Sequence, residues 1–215
     1  TYNFNRPLFS EARVVDINVQ DKEFTVIDDK TNGKVTLKVL EGTEFDYQAA
    51  IGELVHVWFN DENELVKSEI VSTTAKYDAI EIDKVNKIKL LTEGKKYDVS
   101  EEEYNGNNTP DDEKFKFYLN GVDVTTTDGK IPAEYVGKKF NFAKVGYDKS
   151  GDIEYISAYN LEQFLVVDSV DGDEVVGVEG NGTGGSFDAE DATIVKDGKV
   201  INLSDLKKGD VLFFN

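Results

Sequence analysis

The end of this chain repeats a phrase that occurs twice earlier in it. Each time, a short helix-compatible piece runs into a glycine and a run with strand character follows. The three segments are FDYQAAIGELVHVW at 45–58, KIPAEYVGKKFNFAKV at 130–145 and KVINLSDLKKGDVLF at 199–213, with Gly52, Gly137 and Gly209 at the shared position. A divergent internal repeat is typical of stacked copies of one small unit. It therefore constrains the fold more than any single residue does.

Apolar and polar residues alternate along most of the chain, and Asn, Asp and Gly interrupt the alternation. Residues 34–40 (KVTLKVL) and 65–71 (LVKSEIV) show the pattern. A period of two broken by turn residues predicts strands joined by hairpins. No segment longer than about ten residues keeps a helical period. We therefore predict an all-β fold of tandem small β-barrel or β-sandwich modules, with helix only in short turns before the repeated glycines.

Three similar strands open the copies and set the predicted module boundaries. They are ARVVDI at 12–17, YDAIEI at 77–82 and FLVVDS at 164–169, aligned on Val14, Ala79 and Val166. The middle copy is longer because of residues 100–114 (SEEEYNGNNTPDDEK), whose acidic composition predicts a surface loop. The predicted modules are 1–74, 75–161 and 162–215.

Two dipeptides predict tight hairpins in the second and third copies. Asn120-Gly121 and Asp197-Gly198 each stand between two apolar runs. A two-residue type I′ turn needs positive φ at both central residues, which Asn-Gly and Asp-Gly supply.

The hairpin after the repeated glycine is complete in the first two copies only. After Gly209 the sequence stops at Asn215, before a return strand. A sheet edge left open in mid-hairpin exposes unpaired backbone groups. We therefore expect the natural protein to continue beyond this sequence, or the last strand to be supplied in some other way.

The acidic composition excludes several classes of partner. The chain has 24 Lys and Arg against 43 Asp and Glu, a net charge of −19, which repels nucleic-acid phosphates and anionic lipid headgroups. No apolar run approaches the roughly 18 residues of a membrane helix, so we expect no membrane insertion. The absence of Cys excludes disulfides, thiolate catalysis and Cys-ligated zinc.

The third copy also resembles a known kind of module. A strand opener, an Asn-Gly or Asp-Gly hairpin, a polar strand and then LSDLKKGDVLFF at 203–214 are similar to the β-rich repeat modules of Gram-positive surface-layer (S-layer) and other cell-wall-associated proteins. The match is closest at 194–213, looser at 116–160 and weakest in the first copy. The resemblance implies a secreted, non-catalytic structural protein at the cell wall, a lattice-forming or spacer region that self-associates. It carries no catalytic residues.

An acidic cluster in the third copy is the candidate metal site. Asp168, Asp171 and Asp173 could hold Ca²⁺, a hard cation that takes about six to eight oxygen ligands. Their spacing does not fit an EF-hand, and the alternative is a strand followed by an Asp-Gly turn. Asp148 and Asp152, around Gly151, are a weaker candidate of the same kind. Cations bridging carboxylate-rich surfaces would assist self-association.

A glycine-rich stretch formally matches a dinucleotide-binding loop. Residues 180–185 contain G-x-G-x-x-G after a predicted strand, but the following SFDAEDATIV has no helical period. A phosphate cradle of this type needs a helix N-terminus next, so we predict a loop without that function.

His56 and Trp58 are the only residues of their types and share a face of one predicted strand. A lone His with no Cys or Ser motif near it gives no triad and no zinc set, so we predict a packing role. Trp58 is predicted to anchor the core, the alternative being an exposed platform that stacks on sugars. Such a platform would favour the alternative function, a carbohydrate-binding, adhesin or phage-tail module. No motif in the chain favours an enzyme.

Overall fold

The fold is almost entirely β-structure. The computed structural model describes residues 9–28, 31, 33–72, 75–101, 115–148, 150–182, 185–190, 192–197 and 199–214. Strands make up 57% of these residues and short 3₁₀ turns 3%, which confirms the predicted all-β class. None of the residues in these ranges lies in an α-helix. The chain divides into two compact units, residues 1–158 and 159–215.

The first sheet has five strands in the order β3-β2-β1-β4-β5. They are β1 Phe9–Asn18, β2 Glu23–Asp28, β3 Lys34–Lys38, β4 Leu54–Phe59 and β5 Leu65–Ser72. Each pair of neighbours is antiparallel. The N–H of Lys38 donates to the carbonyl of Asn63 at 2.9 Å, so the sheet curls until the end of β3 meets the start of β5.

The second sheet has seven strands in the order β10-β9-β12-β11-β6-β7-β8. They are β6 Ala75–Lys84, β7 Lys87–Leu90, β8 Lys96–Asp98, β9 Lys116–Leu119, β10 Val122–Asp123, β11 Lys139–Tyr147 and β12 Ile153–Tyr159. It curls in the same way, because the N–H of Ser100 donates to the carbonyl of Ile153 at 2.8 Å. Asn120 and Gly121 have φ of +49° and +78°, which confirms the predicted tight turn between β9 and β10. Residues 102–114 of the predicted acidic loop lie outside the described residues.

Residues 159–215 hold the third copy of the repeat, and we call them the third unit. They contain a four-stranded sheet, order β15-β14-β13-β18, and a separate two-stranded sheet of β16 and β17. The strands are β13 Gln163–Asp171, β14 Glu174–Gly182, β15 Ser186–Asp188, β16 Ile194–Lys196, β17 Lys199–Ile201 and β18 Val211–Phe214. Asp197, between β16 and β17, has φ of +52°, and Gly198 beside it lies outside the described residues. Short 3₁₀ turns at Ala133–Tyr135 and Leu203–Asp205 precede the last two repeated glycines.

The repeated glycine makes the same backbone contact in all three copies. Its N–H donates to a carbonyl of the opening strand, at 2.7 to 2.8 Å, in the pairs Gly52–Val14, Gly137–Ile82 and Gly209–Val167. The three glycines have φ of +79°, +83° and +92°, a region that costs residues with a Cβ strain energy. The internal repeat read from the sequence is therefore present in the fold.

The structure changes how the opening strands align. Ile82 and Val167, not Ala79 and Val166, occupy the position of Val14. The register with the next strand shifts directly after each of these residues, between Val14 and Asp16 and at the two equivalent points. The bulges therefore mark the same point of the repeat in each copy. The alignment on Val14, Ala79 and Val166 was wrong in the second and third copies.

Buried charged side chains join the first two sheets within residues 1–158. Arg13 Nη1 donates to Glu154 Oε1 and to the Gly52 carbonyl, both at 3.2 Å. Lys144 Nζ lies 2.5 Å from Glu53 Oε1, and both side chains are at most 4% exposed. Burial lowers the pKa of Lys144, against the opposing effect of Glu53. We call these two ion pairs the buried junction.

An aromatic ring fills the space beside the buried junction. Tyr155 is fully buried, and burial raises the pKa of its phenol well above the ordinary value. A Cβ added at Gly52 or at Gly146 would overlap the Tyr155 ring. Both positions therefore need glycine for close packing, and Gly52 needs it for its backbone conformation as well.

Candidate functional site

Trp58 and His56 lie on β4 and offer no open binding face. Trp58 is 7% exposed, and Lys67 Nζ lies 4.6 Å from the centre of its ring. His56 packs edge-on against Trp58, with Nδ1 3.8 Å from Glu69 Oε2. Trp58 is buried as predicted, but it belongs to none of the three hydrophobic clusters of the described residues, whereas Val55 and Val57 of the same strand lie in the first cluster. Trp58 is therefore not the exposed platform that sugar stacking requires.

The three carboxylates of the candidate Ca²⁺ site lie around the β13–β14 hairpin. Asp168 Oδ1 accepts a hydrogen bond from Lys208 Nζ at 2.6 Å. Asp171 ends β13 opposite Glu174, and Asp173 lies in the turn between them. In the described part of the chain, no three Asp, Glu or His side chains come close enough to hold one ion. The structure does not assemble these carboxylates into a single site.

Asp148, the weaker candidate, builds a turn. Its Oδ1 accepts hydrogen bonds from the backbone N–H groups of Ser150 and Asp152, at 2.8 and 3.0 Å. Its Oδ2 accepts a hydrogen bond from Ser100 Oγ. An Asp side chain that bonds to backbone a few residues on is the usual stabiliser of such a turn.

The glycine-rich stretch forms part of a β-hairpin. Strand β14 extends through Gly182, and the N–H of Gly177 donates to the Gly185 carbonyl at 2.6 Å. Strand β15 follows, where a dinucleotide-binding motif needs a helix. Thr183 and Gly184 lie outside the described residues.

The third unit carries a depression of about 650 Å³ near the C-terminal end of β13. Its lining includes Ser169, Asp173, Asn202, Ser204 and Lys208. These groups suit a small polar ligand, although Lys208 is already paired with Asp168. The residues that line the depression include no histidine that could activate the serine hydroxyls.

One edge strand differs from the others in its charge. Within the described residues, every strand at a sheet edge except β18 contains a charged residue. These strands are β3, β5, β8, β10, β15, β16 and β17. Strand β18 is Val-Leu-Phe-Phe, and its one neighbour in that part of the chain is β13. Charged residues on an edge strand oppose pairing with another chain. β18 lacks that protection.

The outer face of β18 and β13 is apolar as well. Phe213 and Val211 are 58% and 49% exposed, and Phe164 is 38% exposed. Phe213 pairs with Phe164 across the two strands, with ring centres 6.2 Å apart, and Val211 pairs with Val166. Leu212 and Phe214 pack instead on the core of the third unit. We call these four outer residues together with the free side of β18 the apolar edge.

The open hairpin was predicted from the sequence, whereas the apolar outer face was not. The signal was present in residues 211–214, where four consecutive residues are apolar. A strand with one face in water has polar residues at alternate positions. A break in the alternation on a strand at a sheet edge therefore indicates an outer face that favours contact with another apolar surface.

The chain is thus an all-β protein built on a repeated strand unit, with one apolar edge. No helix in the described residues is long and apolar enough to span a membrane. No family model, curated protein or solved structure matches the chain. Its function is inferred from its own residues.

Proposed function

We propose that this chain is a non-catalytic structural protein of a bacterial cell surface, an S-layer-like assembly or spacer region that self-associates. The apolar edge is the observation that carries the proposal. Exposed apolar surface on a sheet edge favours contact between chains, and monomeric proteins usually protect such edges. The resemblance of residues 194–213 to repeat modules of cell-wall-associated proteins supports the location at the cell surface.

Divalent cations would strengthen this association. Copies with a net charge of −19 repel each other, and an ion between two carboxylate-rich surfaces reduces the repulsion. The carboxylates would come from two chains, so a Ca²⁺ site of this kind need not be complete in one copy. Asp168, Asp171 and Asp173 remain candidates for one side of such a bridge.

The experiment is multi-angle light scattering combined with negative-stain electron microscopy on the purified chain. One sample contains about 5 mM CaCl₂ and the other contains a chelator. NaCl brings both to the same ionic strength, so that a difference between them is not an effect of charge screening. We expect oligomers in both samples, and larger sheets or tubes with Ca²⁺. A monomer in both samples that binds glycans on an array would overturn the proposal in favour of a carbohydrate-binding module.

A further inference from the structure

The segment before the repeated glycine differs between the copies in its aromatic content. In the first copy, Tyr47 of this segment packs on Phe24 with ring centres 6.1 Å apart, and in the second, Tyr135 packs on Phe117 at 5.7 Å. Both tyrosines contact the hydrophobic cluster of their module. The corresponding residues 202–208 of the third unit include no aromatic residue. The third unit therefore has only smaller apolar side chains, two leucines, in this segment.

The backbone beside this segment is also less tied down in the third unit. In the second module, Ile131 stands two residues before the 3₁₀ turn, and its N–H donates to the carbonyl of Val85 between β6 and β7 at 2.9 Å. Ile201, at the same position in the third unit, pairs with β16. Among the described residues, no backbone hydrogen bond joins residues 201–208 to residues 171–174, the turn between β13 and β14. The depression of the third unit lies between these two segments.

The lining of the depression combines buried apolar side chains with exposed polar ones. Val167 and Leu206 belong to the hydrophobic cluster of the third unit. The polar side chains of the lining are Ser169, Asp173, Asn202, Ser204 and Lys208. The Asn202 side chain accepts a hydrogen bond from the Asp205 N–H, and the Asp205 side chain accepts one from the Asn202 N–H at 3.0 Å. This reciprocal capping fixes the Asn202 amide beside the depression.

Charge disfavours two classes of ligand for the depression. Its lining has one ammonium, on Lys208, and one carboxylate, on Asp173, and Lys208 is already paired with Asp168 at 2.6 Å. An anion would approach a chain with a net charge of −19. For a metal ion, the described residues offer no group of three Asp, Glu or His side chains. Hydroxyls, an amide and apolar side chains suit instead an uncharged ligand that has both hydroxyl groups and an apolar face.

We propose that the depression binds a neutral mono- or disaccharide unit. A pyranose ring presents hydroxyl groups around its edge and C–H groups on its faces, which match the polar and the apolar side chains of the lining. The volume of about 650 Å³ lies within the range of about 300–1,000 Å³ that is usual for small-molecule sites. The inference does not depend on the proposed self-association, because all the lining residues belong to one chain.

Saturation-transfer difference NMR tests the proposal on the purified chain. The method observes the sugar, so it works whether the chain is a monomer or assembled. The neutral probes are cellobiose, lactose, maltose and N,N′-diacetylchitobiose, each up to about 20 mM, a range that covers dissociation constants of about 1 mM. Chitobiose with free amino groups and maltose 1-phosphate are the charged counterparts of two of them. We expect saturation transfer to at least one neutral probe, and at least about tenfold weaker binding of the charged counterparts.

Variants of the lining assign the signal to the depression. Asp173→Ala removes an acceptor from the lining, and Asp171→Ala is the matched control, because Asp171 is exposed in the same hairpin but does not line the depression. We expect the dissociation constant to rise about tenfold in Asp173→Ala and to stay within about twofold in Asp171→Ala. Ser204→Tyr places an aromatic ring in this segment, as in the other two copies, and we expect it to abolish binding. Circular dichroism of each variant confirms that the fold is retained.

The outcomes separate this inference from the proposed function. The absence of saturation transfer to every neutral probe would overturn it, and so would a charged counterpart that binds as tightly as its neutral form. Equal dissociation constants for Asp173→Ala and Asp171→Ala would show that the sugar binds elsewhere on the chain. A self-associating chain that binds no sugar contradicts this inference alone, whereas a monomer that binds sugar through Asp173 supports it and contradicts the proposed function.

Discussion

Residues 1–158 and residues 159–215 both contain the repeated strand unit, but among the described residues the number of strands in its sheet differs. The second module buries fourteen hydrophobic residues in its main cluster, three of them from β12, whereas the cluster of the third unit has five among the described residues. The first two modules each have a return strand, and the buried junction joins them. The described part of the third unit has neither feature. In the described part of the molecule, the copies that have a return strand are also the copies with the larger buried clusters.

The largest expected effect comes from breaking the buried junction. Lys144→Met leaves the 3% exposed Glu53 without its cation, and uncompensated buried charge typically costs about 3–5 kcal/mol. We expect a loss of that size in the free energy of unfolding of residues 1–158. Urea titration followed by Trp58 fluorescence measures it, because the only tryptophan lies in this unit.

Two further variants define what the Lys144 result means. Lys139→Met removes a 67% exposed lysine from the same strand, and we expect almost no change. Adding Glu53→Gln to Lys144→Met removes the uncompensated charge, so we expect part of the loss to be recovered. Equal losses of unfolding free energy from Lys139→Met and Lys144→Met would show that the buried junction stabilises residues 1–158 no more than an exposed lysine does.

Much of the fold was predictable from the sequence, because strands and turns depend on local patterns. Alternation predicted the all-β class, and Asn120-Gly121 predicted a hairpin that is present. The buried junction was not predictable. Arg13 and Glu154 are far apart in sequence, and among the many charged residues nothing local distinguishes a buried pair from an exposed one. The apolar edge was predictable only in part. The sequence shows that its residues are apolar, but which side chains face outward depends on the strand register.

The repeated glycine provides the next test, because its surroundings differ between copies. Gly52→Ala adds a Cβ that overlaps the Tyr155 ring and imposes strain at φ +79°. Gly209→Ala imposes the same kind of strain at φ +92°, but no atom lies within 4 Å of the added Cβ. We expect losses of about 2–5 kcal/mol at Gly52 and about 1–2 kcal/mol at Gly209.

Chemical denaturation of each glycine variant measures these losses, with Trp58 fluorescence for the first unit and circular dichroism for the third. Adding Tyr155→Leu to Gly52→Ala removes the overlap and keeps the backbone strain. When Tyr155 is leucine, we therefore expect Gly52→Ala to lower the free energy of unfolding by less, close to the loss that Gly209→Ala causes in the unmodified chain. Similar costs at Gly52 and Gly209 in the unmodified chain would mean that Tyr155 yields easily, and the packing argument for the first module would be wrong.

The smallest expected effect concerns the two equivalent hairpins. Asn120→Ala and Asp197→Ala each place alanine at positive φ, +49° and +52°, at a local cost of about 1–2 kcal/mol. Strand β9 pairs with β12 in the seven-stranded sheet, whereas β16 and β17 pair only with each other in the described residues. We therefore expect Asn120→Ala to lower the global stability of residues 1–158 by about 1 kcal/mol. Asp197→Ala should instead open its hairpin locally, because β16 and β17 form a separate two-stranded sheet with no further strand neighbour among the described residues. Amide hydrogen exchange distinguishes the two outcomes: faster exchange confined to residues 194–201 supports the difference, and faster exchange throughout the third unit contradicts it.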